Sequence, residues 1–214
     1  MFKNRMEAGK LLADKLTKLH LNNLYLLAVP RGGVVIALPI AQRLYSPIQL
    51  LITRKIGHPA NPEVAIGAVM PDGSAIYREQ SMSANGISTA VLETLIAAEH
   101  QEIQRRQILY TKTTQAPQVK GKAAIVIDDG IATGYTIRAA MKWLKQEQAA
   151  KIIITVPVAP PDVVRELSRE VDEVICLLQP DRFYAVGMHY EDFAQTSDQE
   201  VIEILTSINT MIKN

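Results

Sequence analysis

Short apolar runs alternate with segments of helical periodicity along most of the chain. The runs that predict buried strands lie at 24–29, 48–53, 123–127, 151–156 and 173–178. Apolar residues at helical spacing predict helices over 2–19, 34–44, 88–109, 136–144, 161–169 and 198–212. Strands that are apolar on both faces and alternate with helices are typical of a parallel sheet covered by helices on both sides. The pattern therefore predicts the α/β class.

One stretch departs from this alternation. Arg54 and Lys55 close the second apolar run, and the residues at 57–62 are rich in Gly, Pro and Asn, which predicts a loop. The runs at 64–70 and 74–77 are joined by Pro-Asp-Gly, which predicts a β-hairpin.

We expect a single α/β domain over 1–214, with a central parallel sheet flanked by helices. The core would span about 22–178, and a small hood would span about 179–214, with a contribution from 1–20 left open. The polar connector at 111–121 is interpreted as a loop within one fold, because a buried strand follows it at once.

Composition restricts the classes of partner. Of the 214 residues, 48% are hydrophobic and 21% charged, an ordinary balance for a globular protein. The net charge of +1 gives no overall field toward nucleic acid or an anionic membrane, so neither partner is expected. The single cysteine, Cys176, excludes an internal disulfide and fits a reducing compartment. Because no signal sequence and no apolar run of membrane-spanning length is evident, we expect a cytoplasmic protein.

The most informative segment is 125–136, which reads I-V-I-D-D-G-I-A-T-G-Y-T. Its first three residues end a buried strand, and a turn of small residues leads into a helix at Thr136. Unpaired backbone N–H groups at a helix N-terminus attract phosphate, and the hydroxyls of Thr133 and Thr136 add donors. Small residues at Ala132 and Gly134 let a phosphate approach the backbone closely. The segment therefore predicts a cradle for a phosphate group.

Asp128 and Asp129 stand at the carboxyl end of this strand. Two carboxylates would repel phosphate alone, but they suit a sugar phosphate whose ribose hydroxyls can donate to both acids. Neither a G-x-x-x-x-G-K-[ST] motif nor a G-x-G-x-x-G motif is present, which argues against P-loop and dinucleotide-binding proteins. We therefore expect a ribose 5-phosphate rather than a nucleotide polyphosphate.

Four apolar residues, two acids and then A-T-G-x-T, matched throughout 124–136, resemble the phosphoribosyl pyrophosphate signature of type I phosphoribosyltransferases. The wider resemblance covers most of 22–193 and suggests a stand-alone branch of that family. It implies transfer of ribose 5-phosphate from phosphoribosyl pyrophosphate to a nitrogenous acceptor such as a nucleobase, with release of pyrophosphate. It also implies Mg²⁺, held mainly by ligand oxygens, with Asp128 or Asp129 assisting directly or through water. Dimers are common in the family, so a homodimer is possible.

The resemblance also implies roles for individual residues. The catalytic residues would be Asp128, Asp129, Arg54 and Lys55. The residues that bind phosphoribosyl pyrophosphate would be Arg31, Gly32, Gly33, Asp128, Asp129, Gly130, Ala132, Thr133, Gly134, Tyr135 and Thr136. The sequence Pro30-Arg31-Gly32-Gly33 matches the pyrophosphate loop of the family, and we expect a cis peptide bond between Pro30 and Arg31.

The pair Arg54-Lys55 matches the Arg-Lys that precedes the mobile catalytic loop of adenine and orotate phosphoribosyltransferases. A solvated strand end is the alternative. His58, Asn61 and Glu63 are candidate residues within that loop.

The segment 179–193 resembles the base-binding hood of the 6-oxopurine enzymes. By this resemblance Phe183 would stack on the acceptor, and Tyr184 and Val158 would border it; ordinary aromatic packing is the alternative. Two departures argue against hypoxanthine or guanine as acceptor. Ala132 stands where those enzymes have an acid, and 156–161 lacks the lysine that reads the 6-oxo group.

A regulatory protein that keeps this fold and senses phosphoribosyl pyrophosphate or nucleotides without turnover is the main alternative function. Nucleic-acid regulators of this type usually show a basic face or an added helix-turn-helix, and the sequence shows neither.

Overall fold

A computed structural model of the protein describes residues 1–21, 23–77 and 87–213. The helices are α1 (Arg5–Thr17), α2 (Gly32–Leu44), α3 (Thr89–Thr111), α4 (Tyr135–Gln146), α5 (Pro161–Leu167) and α6 (Asp198–Lys213), with a short 3₁₀ helix at Val186–His189. The strands are β1 (Leu24–Ala28), β2 (Ile48–Leu50), β3 (Arg54–His58), β4 (Asn61–Val69), β5 (Ala75–Tyr77), β6 (Ala123–Ile127), β7 (Lys151–Val158) and β8 (Glu173–Leu178).

Five of the strands form one parallel sheet in the order β2-β1-β6-β7-β8. The central strand β6 is buried along its whole length, and its side chains alternate between two hydrophobic clusters. Ile125 and Ile127 join the cluster that contains residues of α1, α2, α3 and α6, whereas Ala124 and Val126 join the one formed with α4 and α5. Helices therefore cover both faces, and the predicted α/β architecture is confirmed.

A separate three-stranded antiparallel sheet, in the order β3-β4-β5, corrects one prediction. Arg54 and Lys55 do not end the second parallel strand; they begin β3, and Arg54 pairs with Val69. The stretch 57–62 is not an open loop, because His58 pairs with Asn61 across a tight turn. The register of β3 and β4 shifts on both sides of Gly57. The sequence here therefore lacks the regular alternation of apolar and polar residues by which a strand is recognised.

The predicted hairpin between 64–70 and 74–77 is confirmed as the antiparallel pair β4–β5. The predicted start of the long helix is also confirmed, because the Ser88 side chain accepts a hydrogen bond from the Val91 N–H. Ser197 does the same at the start of α6, where it accepts from the Glu200 N–H.

The N-terminal residues pack against the segment at 189–192, which precedes the last helix. The Phe2 N–H donates to the His189 carbonyl at 2.9 Å, and the Glu191 N–H donates to the Phe2 carbonyl at 2.8 Å. The rings of Phe2 and Tyr190 pack with their centroids 5.5 Å apart. Further along, α6 packs against α2 and α3. In the parts of the chain that the structure describes, no helix combines the length and apolar character that crossing a membrane requires.

Candidate active site

Three loops converge at one edge of the parallel sheet. They follow β1, β6 and β7, which are adjacent in the sheet and end at the same edge because they run in parallel. The Ile131 N–H donates to the Val158 carbonyl at 2.9 Å and ties the second loop to the third. A Cβ at Gly33 would lie 2.6 Å from the Ile127 carbonyl oxygen, so the start of α2 lies directly against the end of β6.

The start of α4 provides backbone donors for an anion. Its cap residue, Gly134, has φ +75° and no side chain to satisfy the first N–H groups of the helix. Ala132 and Thr133 are exposed in the preceding turn, Tyr135 is 61% exposed, and Thr136 is half-buried. A free helix N-terminus next to small, accessible residues is suited to a phosphate group. The helix begins one residue before the predicted Thr136.

Asp128 and Asp129 form an acid pair at the end of β6. The Asp129 N–H donates to Asp128 Oδ1 at 2.8 Å. Desolvation, together with the neighbouring Asp129 carboxylate, raises the pKa of Asp128 well above its usual range. The Arg5 guanidinium acts in the opposite direction and lowers this pKa.

Asp129 is held by two residues that the sequence did not predict for the site. Arg5 Nε donates to Asp129 Oδ2 at 2.8 Å, and the two side chains are only 11% and 18% exposed. The Tyr190 hydroxyl donates to the Asp129 carbonyl at 2.6 Å. Desolvation, with a smaller effect from the Asp129 carboxylate, raises the pKa of Tyr190, so the hydroxyl stays a donor.

The loop at 30–33 lies against this acid pair. The peptide bond between Pro30 and Arg31 is cis, as predicted. A Cβ at Gly32 would lie 1.9 Å from Asp129 Oδ2, so this position accepts no side chain without displacing the carboxylate. Arg31 reaches away from the pair, and its guanidinium lies 3.5 Å from Asp198 at the start of α6.

The predicted cations Arg54 and Lys55 lie on the antiparallel sheet. Arg54 Nε donates to Glu99 of α3 at 2.7 Å, whereas Lys55 is exposed. His58 Nδ1 accepts the Ala60 N–H, which is a contact within the turn. No hydrogen bond within the described ranges joins these residues to the acid pair. Asn61 is exposed, and the side chain of Glu63 lies outside the described residues.

The predicted acceptor residues differ in exposure. Val158 is buried at the end of β7, Phe183 is half-buried, and Tyr184 is 77% exposed. The Phe183 ring stacks on His189 with centroids 5.4 Å apart. A Cβ at Gly130 would lie 2.5 Å from the Val186 side chain and 3.1 Å from that of Val158. The hood segment therefore closes on the loop that follows β6.

Fold and site together define an α/β protein with an uncapped helix start and two acids at one edge of a parallel sheet. The family model described as the phosphoribosyl transferase domain matches residues 3–192. The chain therefore belongs to the phosphoribosyl transferase domain family, and the class predicted from 124–136 is confirmed.

Individual relatives agree with this placement. Two curated proteins of Mycobacterium tuberculosis, MT0597 and Rv0571c, carry provisional names as phosphoribosyl transferases and are 36% identical over 205 residues, or 96% of this chain. The chain spans only 46% of the length of each. The crystal structure of TT1426 from Thermus thermophilus is similar over 96% of this chain and 98% of its own, with 35% identity and a TM-score of 0.82.

The structure thus brings together most, but not all, of the predicted site residues. The loops at 30–33 and 128–136 and the end of β7 meet at one edge, while Arg54 and Lys55 lie on the antiparallel sheet. Arg5 was missed because it lies 124 residues from Asp129 in the chain. Its only local signal is unusual: a cation stands in the first turn of a helix, where the helix dipole disfavours it.

Proposed function

We propose that the chain transfers ribose 5-phosphate from phosphoribosyl pyrophosphate to a nitrogenous acceptor, such as a nucleobase, and releases pyrophosphate. The observation that carries this proposal is the adjacency of the acid pair and the uncapped start of α4 at one sheet edge. Donors for a phosphate and acceptors for sugar hydroxyls then lie within a single loop. A sugar phosphate satisfies both sets of groups, whereas a simple anion would satisfy only one.

Each part of the donor has a matching part of the site. The turn at 130–136 binds the 5-phosphate through backbone N–H groups and threonine hydroxyls. Asp128 and Asp129 accept hydrogen bonds from the ribose hydroxyls. Arg31 and the glycine backbone of the 30–33 loop bind the diphosphate, since close approach there requires the absence of side chains.

The reaction breaks the bond between the anomeric carbon and the diphosphate oxygen, and the diphosphate leaves with the electron pair. The acceptor nitrogen forms the new bond to that carbon and gives up a proton. Positive charge develops on the sugar ring in the transition state, so a carboxylate held nearby lowers its energy. Phe183, Tyr184 and Val158 are proposed to border the acceptor and to limit the access of water.

The side chains of the site can supply only a small part of the ligands that Mg²⁺ needs. In the described ranges no group of three or more His, Cys, Asp or Glu side chains could hold a metal, and the acid pair supplies two carboxylates, one of them paired with Arg5. Such a set suits an ion that is ligated mainly by diphosphate and ribose oxygens, with Asp128 assisting directly or through water. Bound there, Mg²⁺ would neutralise charge on the leaving diphosphate.

A sensor that binds phosphoribosyl pyrophosphate without turnover is the second candidate. It is favoured by the ion pairs of three arginines: Arg5 with Asp129, Arg31 of the 30–33 loop with Asp198, and Arg54 of the antiparallel sheet with Glu99. Arginines paired in this way are less available to a diphosphate. A homodimer, a cytoplasmic location and the lack of nucleic-acid and membrane partners stay predictions.

Radiolabelled phosphoribosyl pyrophosphate, Mg²⁺ and a panel of nitrogenous bases test both candidates. We expect tight donor binding, and pyrophosphate release with at least one acceptor; tight binding without release for any acceptor would favour the sensor. The double variant Asp128→Asn, Asp129→Asn should abolish donor binding. Asp14→Asn is the matched control, because Asp14 lies in an exposed ion pair with Arg43. Wild-type affinity in the double variant would refute the site.

A further inference from the structure

Arg5 is the one cation in direct contact with the acid pair among the described residues. We propose that Arg5 is a positioning residue of the phosphoribosyl site: it fixes the Asp129 carboxylate in one orientation and serves as the resident positive charge of the pair. This inference rests on the proposed function and deepens it. It also gives the N-terminal segment a role in binding the donor.

The Arg5 guanidinium is held on several sides. Its Nε donates to Asp129 Oδ2 at 2.8 Å, and one terminal nitrogen donates to the Ala194 carbonyl at 2.8 Å. Its face lies over the Phe193 ring, 3.8 Å from the centroid. A planar group engaged at its edge and on its face keeps one orientation, so the carboxylate that it binds is fixed as well.

The segment that carries Arg5 is itself anchored beside the site. The backbone of Phe2 bonds to His189 and Glu191, and the Asp192 N–H donates to the Lys3 carbonyl at 2.9 Å. These bonds place the first turn of α1 against the strand-like segment that leads from Tyr190 to Phe193. Tyr190 bonds to the Asp129 carbonyl from the same segment. The N-terminal segment and the segment at 190–193 therefore contact Asp129 from two sides.

The requirements of helix α1 do not explain an arginine at this position. Arg5 is the first residue of α1, where the partial positive charge of the helix N-terminus repels a cation. The cap is already supplied by Asn4, whose side chain accepts the Glu7 N–H. The favourable partner of Arg5 is Asp129, 124 residues away.

Arg5 decides which carboxylate oxygens remain for a ligand. Asp128 Oδ1 accepts the Asp129 N–H, and Asp129 Oδ2 accepts Arg5 Nε. Asp128 Oδ2 and Asp129 Oδ1 have no hydrogen bond to the described parts of the chain, so each acid keeps one oxygen that is not yet engaged. Two acceptor oxygens match the two adjacent hydroxyls of a ribose.

The same contact has a consequence for metal binding. Two adjacent carboxylates without a cation would attract a divalent ion by themselves. With Arg5 in place, part of that negative charge is neutralised, so Mg²⁺ alone gains little from the pair. The cation would instead enter with the diphosphate, which supplies most of its ligands.

Titration calorimetry of the intact chain tests this role, first with phosphoribosyl pyrophosphate and Mg²⁺ together and then with Mg²⁺ alone. Arg5→Gln should weaken donor binding by about tenfold or more and should strengthen the binding of Mg²⁺ alone. Arg5→Lys keeps the charge but loses the planar fork, so it should recover part of the donor affinity and bind Mg²⁺ as weakly as the wild type. Arg43→Gln is the matched control, because it breaks an exposed arginine–aspartate pair between α1 and α2.

Wild-type behaviour of Arg5→Gln in both titrations would overturn the proposal. So would a loss of donor binding without stronger binding of Mg²⁺ and without recovery by Arg5→Lys, since that result indicates a purely structural role. If Arg5→Gln does not fold, the Arg5→Lys titrations decide, and wild-type donor affinity there would also overturn it. If the wild type itself binds no phosphoribosyl pyrophosphate, the proposed function fails. The titrations with Mg²⁺ alone still test whether Arg5 neutralises part of the charge of the acid pair.

Discussion

The variant Gly32→Ala tests how closely the loop at 30–33 lies against the acid pair. The added methyl group of Gly32→Ala would lie 1.9 Å from Asp129 Oδ2, 2.6 Å from Asp129 Cγ and 2.9 Å from Arg5 Nε. These are impossible contacts, so the carboxylate must leave its position and weaken its bond to Arg5. Overpacking of this kind costs about 1–3 kcal/mol. Alanine regains up to about 1 kcal/mol in a helix, so we expect a net loss of about 1–2 kcal/mol.

Urea unfolding and titration with phosphoribosyl pyrophosphate measure the two consequences of Gly32→Ala. The free energy of unfolding should fall as estimated, and the donor affinity should fall by about tenfold or more because Asp129 is displaced. Gly121→Ala is the control: Gly121 has φ +70° and no atom near the added Cβ. It should cost about 1–2 kcal/mol through backbone strain and leave donor affinity unchanged.

A double-mutant cycle isolates the contact. In an Asp129→Ala background two of the three colliding atoms, Cγ and Oδ2, are gone and Arg5 has lost its partner, so Gly32→Ala should destabilise the protein much less. An equal loss of stability in both backgrounds would refute the reasoning, as would wild-type donor affinity in Gly32→Ala alone.

Three further predictions concern residues around the site. If Arg54 binds the diphosphate, Arg54→Gln should lower the affinity for phosphoribosyl pyrophosphate. Glu99→Gln should leave that affinity unchanged or raise it, because it removes the carboxylate partner of Arg54. Equal effects of the two variants in calorimetry would contradict a role of Arg54 in binding. Desolvation and then the bond to Asp198 raise the pKa of Tyr110 to about 12 from 10.0. Its neutral form therefore stabilises the fold fully below pH 10, and this contribution is lost between pH 10 and 12. Tyr110→Phe should flatten the pH dependence of the unfolding temperature in that window, and an unchanged slope would refute the assignment. Burial raises the pKa of Cys176 to about 11 from 9.0, so its thiolate fraction at pH 8 should be about 100-fold lower than in the unfolded chain. Labelling with a thiol reagent at the rate of urea-unfolded protein would contradict this.

The predicted elements succeeded where one local pattern determines the structure. The strand at Ala123–Ile127 is apolar throughout and is followed by acids and small residues, so both its burial and its end could be predicted. The hairpin at 64–77 has a Pro-Asp-Gly turn that identifies it. The prediction for 54–62 was wrong. Its turn-forming residues suggested a loop, but most of them lie in strands and at the tip of a hairpin.

The predicted site residues that are contiguous in sequence lie together in the structure, whereas those predicted from distant segments do not all reach the same place. The turn at 130–136 combines strand end, small residues and helix start within one segment, so its geometry follows from local backbone rules. Arg54 was expected in the site because the pair Arg54-Lys55 resembles the Arg-Lys that precedes the mobile catalytic loop of adenine and orotate phosphoribosyltransferases. Its observed partner is Glu99, on a helix that packs against β3, and that packing has no signature near residue 54.

The sequence by itself determined the class of fold, the strand–turn–helix that contains Asp128 and Asp129, and membership in the phosphoribosyl transferase domain family. Each of these depends on residues close together in the chain. The tertiary structure alone decided how the acid pair is oriented and which charges reach it. Arg5 and Asp129 are 124 residues apart, and Arg31 and Asp198 are 167 apart. Such partners are chosen by the packing of α1 and α6 beside the sheet, and packing over that distance leaves no pattern in the local sequence.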